Sequence, residues 1–236
     1  MCGRFTLATV PEILAEFFEL DVVPGLSPRY NIAPTQPVPA ILVASGQPNR
    51  EFNPLRWGLI PGWAKDPAVG NRMINARAET VAEKAAFRSA FRQRRCLVLS
   101  DGFYEWKKGP RCKQPFYIRM RDDVPFAFAG LWEHWEGEDG LLIDSCTILT
   151  TKPNDVLRSI HDRMPVILHP ANYDLWLDPV VDKIDRLEPL LCPYPPEEMK
   201  AFPVSTRVNS PKRDDSGCIE PCGVLGLPRR SPSDGT

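Results

Sequence analysis

Apolar positions recur with helical spacing at two places in the first hundred residues. Val10, Ile13, Leu14, Phe17 and Phe18 follow the i, i+3, i+4, i+7, i+8 pattern and predict a helix over about residues 10–20. Thr9 and Glu12 form a capping box at its start, with Pro11 in the first turn. A second box, Thr80 to Glu83, predicts a helix to about Arg94, with Ala82, Ala86, Phe87, Ala90 and Phe91 on its apolar stripe. Elsewhere the runs are short, β-branched or aromatic, and bounded by Gly, Pro, Asp or Ser. They predict strands over 2–7, 38–44, 55–59, 96–99, 103–106, 116–120, 126–132, 146–150 and 166–168. Short helices are predicted over about 154–160, 171–177 and 180–191. Most strands follow one another with no helix between. That predicts an α+β fold: a single domain with an antiparallel, barrel-like β-sheet core flanked by helices, not a doubly wound parallel sheet. The domain is expected over residues 1–222, and residues 223–236 are expected to form a disordered tail.

Composition changes this picture little. Hydrophobic residues make up 43% and charged residues 25% of the 236, which excludes collagen, coiled coil and wholesale disorder. The 26 prolines account for the short elements, because proline breaks helix interiors and central strands. No apolar run approaches the roughly 18 residues of a membrane span, and no signal-peptide core follows Met1. The expected location is cytoplasmic, or nuclear in a eukaryote. The seven cysteines are scattered and read as free thiols. Cys218 and Cys222 lack the second pair a zinc site needs. No metal and no other cofactor is expected. The net charge of −1 hides an asymmetry. Residues 1–121 carry 18 basic and 10 acidic side chains, and residues 122–206 carry 6 and 16. A basic first half can serve as a nucleic-acid face. Alternatively, the halves interleave in one fold and the charges mix.

Several residues are candidates for chemistry, each with a plainer alternative. Removal of Met1 by a methionine aminopeptidase, which the small Cys2 side chain permits, leaves an N-terminal cysteine. Its α-amine and thiol form a 1,2-aminothiol that no internal cysteine presents. An α-amine with an ordinary pKa near 7.8 holds roughly 400 times more free base at neutral pH than an exposed lysine. It can attack an aldehyde to give a Schiff base, which the thiol closes to a thiazolidine. The alternative is an incidental, buried Cys2. Glu105 lies among aromatics in Phe103-Tyr104-Glu105-Trp106, where burial would suit a carboxyl to acid/base work. It can equally face solvent and pair with Lys107 or Lys108. His161, at a helix end, is either a proton carrier or a capping residue. His134 and His169 are taken as structural. If extended, the segment after Ile74 puts Asn75, Arg77 and Glu79 on one face. Trp63 sits in an aromatic loop and can stack on unpaired bases or pack in the core.

Jointly, these segments resemble one family. Met-Cys-Gly-Arg-Phe at 1–5, Tyr-Asn-Ile-Ala-Pro-Thr-Gln at 30–36 and Trp-Gly-Leu-Ile-Pro at 57–61 fit it. So do Ile-Asn-Ala-Arg-Ala-Glu-Thr at 74–80 and Asp-Gly-Phe-Tyr-Glu-Trp at 101–106. Ile-His-Asp-Arg-Met-Pro at 160–165 and Val-Ser-Thr-Arg-Val-Asn at 204–209 complete the set. The chain is similar to SRAP proteins, the SOS response-associated peptidases that process abasic sites, over about residues 2–221. The resemblance implies covalent capture of the ring-opened abasic sugar by Cys2 as a thiazolidine crosslink that shields the lesion. It implies that Asn75 holds the cysteine and sugar, Glu105 is the acid/base, and His161 assists proton transfer or reversal. Arg4, Arg77 and Arg163 match backbone-gripping positions, and Trp63 an aromatic that separates bases. Some relatives follow that tryptophan with another, where this chain has Ala64. The implied partner is single-stranded DNA containing an abasic site, bound by a monomer with no membrane association. Lyase action, a cysteine peptidase built on Cys2, and a non-covalent single-strand-binding module are the other activities considered.

Overall fold

The computed structural model describes residues 2–21, 25–43, 49–109 and 112–223. The tail expected beyond Gly223 lies outside the described residues. Thirteen strands and five short α-helices are assigned among the described residues. The strands are β1 (Phe5–Leu7), β2 (Arg29–Ile32), β3 (Pro37–Val43), β4 (Arg50–Trp57), β5 (Asn75–Arg77), β6 (Arg95–Ser100) and β7 (Gly102–Lys108). They continue with β8 (Lys113–Met120), β9 (Phe126–Glu136), β10 (Leu142–Thr151), β11 (Met164–Pro165), β12 (Ile167–Leu168) and β13 (Met199–Pro203). The helices are α1 (Pro11–Phe18), α2 (Arg88–Gln93), α3 (Asp155–Arg158), α4 (Tyr173–Leu177) and α5 (Ile184–Leu187).

Five strands close on themselves in the order β10-β4-β3-β6-β9 and back to β10. This is the expected barrel-like core, with one difference. β10 pairs antiparallel with β9 but parallel with β4 and β5, so the sheet is not wholly antiparallel. The long chain between β4 and β10 makes such a crossover feasible. A second, five-stranded sheet, β13-β8-β7-β1-β2, is antiparallel throughout. Phe5, Trp57, Phe103 and Phe128 are fully buried where the two sheets meet. Phe5 packs edge-on to Trp57 and Phe128, with centroids 5.1 and 5.7 Å apart.

The helices depart further from expectation. The second capping box does not cap an α-helix. Thr80 ends a 3-10 turn, Ala78–Thr80, and α2 begins only at Arg88. In α1 the N-cap is Val10, with no side-chain cap. Thr9 is drawn away: its N–H and hydroxyl both donate to Asp101 Oδ2, at 2.8 and 3.0 Å. A tertiary carboxylate outcompetes the local box. α5 is one turn in a segment expected to be helical over about 180–191. Arg95 explains part of this economy of helix. Nearly buried at the start of β6, its guanidinium donates to the carbonyls of Phe91, Arg92, Trp176, Asp178 and Val181. It thus terminates α2 and α4 against the barrel. The charge halves do mix, through Arg50–Asp174, Arg94–Glu133 and pairs near the site.

The chain passes from barrel to second sheet at Ser100-Asp101-Gly102. Asp101 Oδ1 accepts from the Thr6 hydroxyl at 2.5 Å, and Oδ2 from the Ala8 N–H at 2.6 Å. The Thr6 hydroxyl also lies 2.8 Å from the Tyr117 hydroxyl. A Cβ added at Gly102 would sit 2.1 Å from Tyr117 Oη, within a buried ring. Gly102→Ala is therefore expected to destabilise the protein by about 1–3 kcal/mol, read as a lower urea midpoint at unchanged slope.

Candidate functional site

β1 is central to the second sheet, between β2 and β7. Its register, Phe5 opposite Phe103, and the Tyr104 N–H donating to the Arg4 carbonyl at 3.0 Å run the N-terminus beside β7. Cys2 is thereby brought to the face of β7 that carries Glu105. Asn75 lies on β5, which pairs with β10 through Asn75 opposite Ile148. The Trp57 indole N–H donates to the Ile74 carbonyl at 2.8 Å and pins the start of that strand. His161 follows α3, whose N-cap is the buried Asn154, and its N–H donates to the Leu157 carbonyl at 2.8 Å.

These elements bring Cys2, Asn75, Glu105 and His161 together. Asn75 Nδ2 donates to the Cys2 carbonyl at 2.8 Å. Its Oδ1 is buried and accepts no hydrogen bond among the described residues. Cys2 is fully buried, and burial pushes its thiol well above the ordinary range, with the Glu105 charge adding to the effect. Glu105 is 2% exposed, so the solvent-facing pairing with Lys107 or Lys108 does not occur. Burial raises its carboxyl above the usual carboxylate range, and the charge of His161 pulls only partway back. His161 Nε2 is 3.9 Å from Glu105 Oε2.

The other expected residues are placed as follows. Arg77 is exposed at the end of β5, and Trp63 is 67% exposed. Trp63 sits on a held loop. The Trp135 indole donates to the Ala64 carbonyl at 2.7 Å, and the Ala64 N–H to the Pro61 carbonyl at 2.8 Å. Arg4 is half-buried, and its Nη1 donates to Asn31 Oδ1 and the Val208 carbonyl, both at 2.8 Å. Arg163 grips Glu79 with both Nη atoms. That pair holds the Glu79 carboxyl below its ordinary range, chiefly by hydrogen bonding, and the Arg77 charge adds a smaller pull. His134 pairs with Asp144 at the surface, and His169 accepts from the Ala171 N–H, both structural as expected. No group of three or more metal-ligating side chains occurs among the described residues, and no helix there is long and apolar enough to cross a membrane. Two supporting residues, Asn31 and Asp101, were missed, and Glu79 was singled out without its partner Arg163. Each lies inside a segment already singled out, so their polar types within apolar runs were the available signal.

Glu105 carries a measurable stability cost. A carboxyl raised above its unfolded value binds its proton more tightly in the folded state. The associated stability is fully present below the unfolded value and is lost as pH rises through the folded one. Glu105→Gln removes this loss. The Tm of Glu105→Gln relative to the native protein should therefore climb as pH is raised from about 4 to 8, as read by thermal scans at matched ionic strength.

A family model described as SOS response associated peptidase (SRAP) matches residues 1–211. The abasic site processing protein YoqW of Bacillus subtilis is 46% identical over 224 residues, covering 93% of this chain and 99% of that protein. The abasic site processing protein YedK of Escherichia coli is 31% identical, covering 94% and 100%. A crystal structure of a protein from Bacteroides thetaiotaomicron superposes with a TM-score of 0.82 at 26% identity, covering 94% of this chain and all of that one. A match of this extent has one consequence: this protein belongs to the SRAP family.

Proposed function

We propose that this protein processes abasic sites in single-stranded DNA by covalent capture through Cys2, once Met1 has been removed. The observation that carries this reading is the buried Glu105, its carboxyl shifted upward by burial, beside Cys2 and 3.9 Å from His161. An abasic sugar is mostly a closed hemiacetal, so a proton donor must open it before an amine can attack. A carboxyl whose proton affinity is raised by burial is suited to that step. The Cys2 amine adds to the C1′ aldehyde, and the carbinolamine loses water to give an imine. The Cys2 S–H then adds across the C=N bond, sulfur to carbon and hydrogen to nitrogen. The product is a thiazolidine, with one water released overall. His161 exchanges protons with Glu105 between steps. The open Asn75 Oδ1 is available to a sugar hydroxyl.

The state of the thiol supports amine-first chemistry. A cysteine peptidase needs a thiolate at neutral pH, and burial beside a carboxylate disfavours one here. DNA grip falls to the exposed Arg77 and Trp63, because for Arg4 and Arg163 a phosphate would compete with their protein partners. Strand scission and the shielding role belong to the same proposal.

Two outcomes test it. The native chain, with loss of Met1 checked by intact mass, should give a denaturation-resistant band with an abasic oligonucleotide and none with intact single strand. Cys2→Ala should abolish that band, and Glu105→Gln should slow its formation by about 10²-fold or more. A reversible shift with both strands, or cleavage of an added peptide, would favour the alternatives. Arg77→Ala should weaken non-covalent binding to an uncrosslinkable abasic strand and flatten the log–log salt slope by about 0.7, by titration across salt concentrations.

A further inference from the structure

The turn that carries His161 is tied down from outside the site. Arg163 Nη1 donates to Glu79 Oε1 at 2.6 Å, and Nη2 to Oε2 at 2.9 Å. Nη2 also reaches the Thr150 carbonyl at 2.5 Å. A two-pronged Arg–carboxylate pair fixes direction as well as distance. Glu79 stands on the 3-10 turn directly after β5, and Thr150 on β10, to which both β5 and β11 are paired. The guanidinium therefore locks the 161–165 turn to the strand that presents Asn75.

The same residue acts through its backbone. The Arg163 N–H donates to His161 Nδ1 at 3.0 Å. A ring nitrogen that accepts carries no proton, so the neutral imidazole holds its hydrogen on Nε2. Nε2 is the nitrogen that faces Glu105. When the ring takes a second proton, Nδ1 must turn from acceptor to donor. Asp162 Oδ1 at 3.0 Å and the Arg163 carbonyl at 3.3 Å are the acceptors within reach. The turn thus serves both protonation states, provided the Arg163 backbone stays in place.

We infer that Glu79 is a positioning residue: by clamping Arg163 against Thr150, it holds the Arg163 N–H on His161 Nδ1 and so aims His161 Nε2–H at Glu105. Its catalytic consequence rests on the proposed reading of Glu105 and His161 as the proton-handling pair. Glu79 itself touches no reacting atom. The clamp also explains why an acidic residue sits within a surface expected to meet DNA: its charge is matched by Arg163, and what it supplies is geometry.

The test reads the hydrogen bond directly. In the isotope-labelled full chain, NMR should show a through-hydrogen-bond nitrogen–nitrogen coupling between the Arg163 amide and His161 Nδ1, at a pH where the ring is neutral. Glu79→Ala should abolish it. Glu79→Gln, which keeps one acceptor for the guanidinium, should retain a reduced coupling. Adduct formation should slow about fivefold in Glu79→Ala, the scale set by one lost hydrogen bond. The same substitution in a His161→Ala background should cause no further slowing. A coupling that persists in Glu79→Ala overturns the inference, as does equal slowing in both backgrounds. If the native chain forms no adduct at all, the proposed function fails while the coupling still decides the role of Glu79.

Discussion

Asp101 sits at the corner where β6 of the barrel becomes β7 of the second sheet, and its carboxylate gathers the N-terminal strand onto that corner. Its two oxygens accept from Thr6, Ala8 and Thr9. Charge-assisted bonds of this kind are stronger than neutral ones and are directional. Everything at the N-terminus depends on them. They hold β1 beside β7, set the register of Phe5 on Phe103, and so bring Cys2 against Glu105. The adjacent Gly102 is the only residue type that lets Tyr117 close over the corner. The placement of Cys2 is therefore underwritten by a hydrogen-bond cluster that lies outside the candidate site.

Burial then does the chemical tuning. Cys2 and Glu105 are both buried, burial disfavours the charged form of each, and the charge of Glu105 further disfavours the Cys2 thiolate. A thiol that burial biases against ionisation is a poor tool for peptide cleavage by a thiolate. His161, only partly exposed, stands between Glu105 and solvent, with its Nε2 3.9 Å from Glu105 Oε2.

The near-neutral net charge is compatible with a nucleic-acid partner because the charges are locally sorted. Arg50, Arg94 and Arg163 are matched by carboxylates, which leaves the field near β5 to exposed side chains such as Arg77. An abasic sugar offers no base to read, so under the proposed function recognition would rest on phosphate contacts, an aromatic such as Trp63 on a held loop, and the reacting aldehyde.

The sequence by itself determined the fold class, most strands and the family. Those are properties of local pattern: period-two runs, turn residues, and motifs whose residue types the chemistry requires. It misjudged the helices. Thr9 and Thr80 read as caps, yet Asp101 takes Thr9, and Ala82–Phe87 form turns that no local rule distinguishes from helix. The parallel pairing of β10 with β4 and β5 was invisible too, because it joins segments some 70 to 90 residues apart through closure of the barrel. The protonation of Glu105, the partner of Glu79 and the orientation of His161 were likewise decided only by tertiary structure. A residue's charge state and hydrogen-bond partners depend on what excludes water from it, and that is set by distant strands packing together.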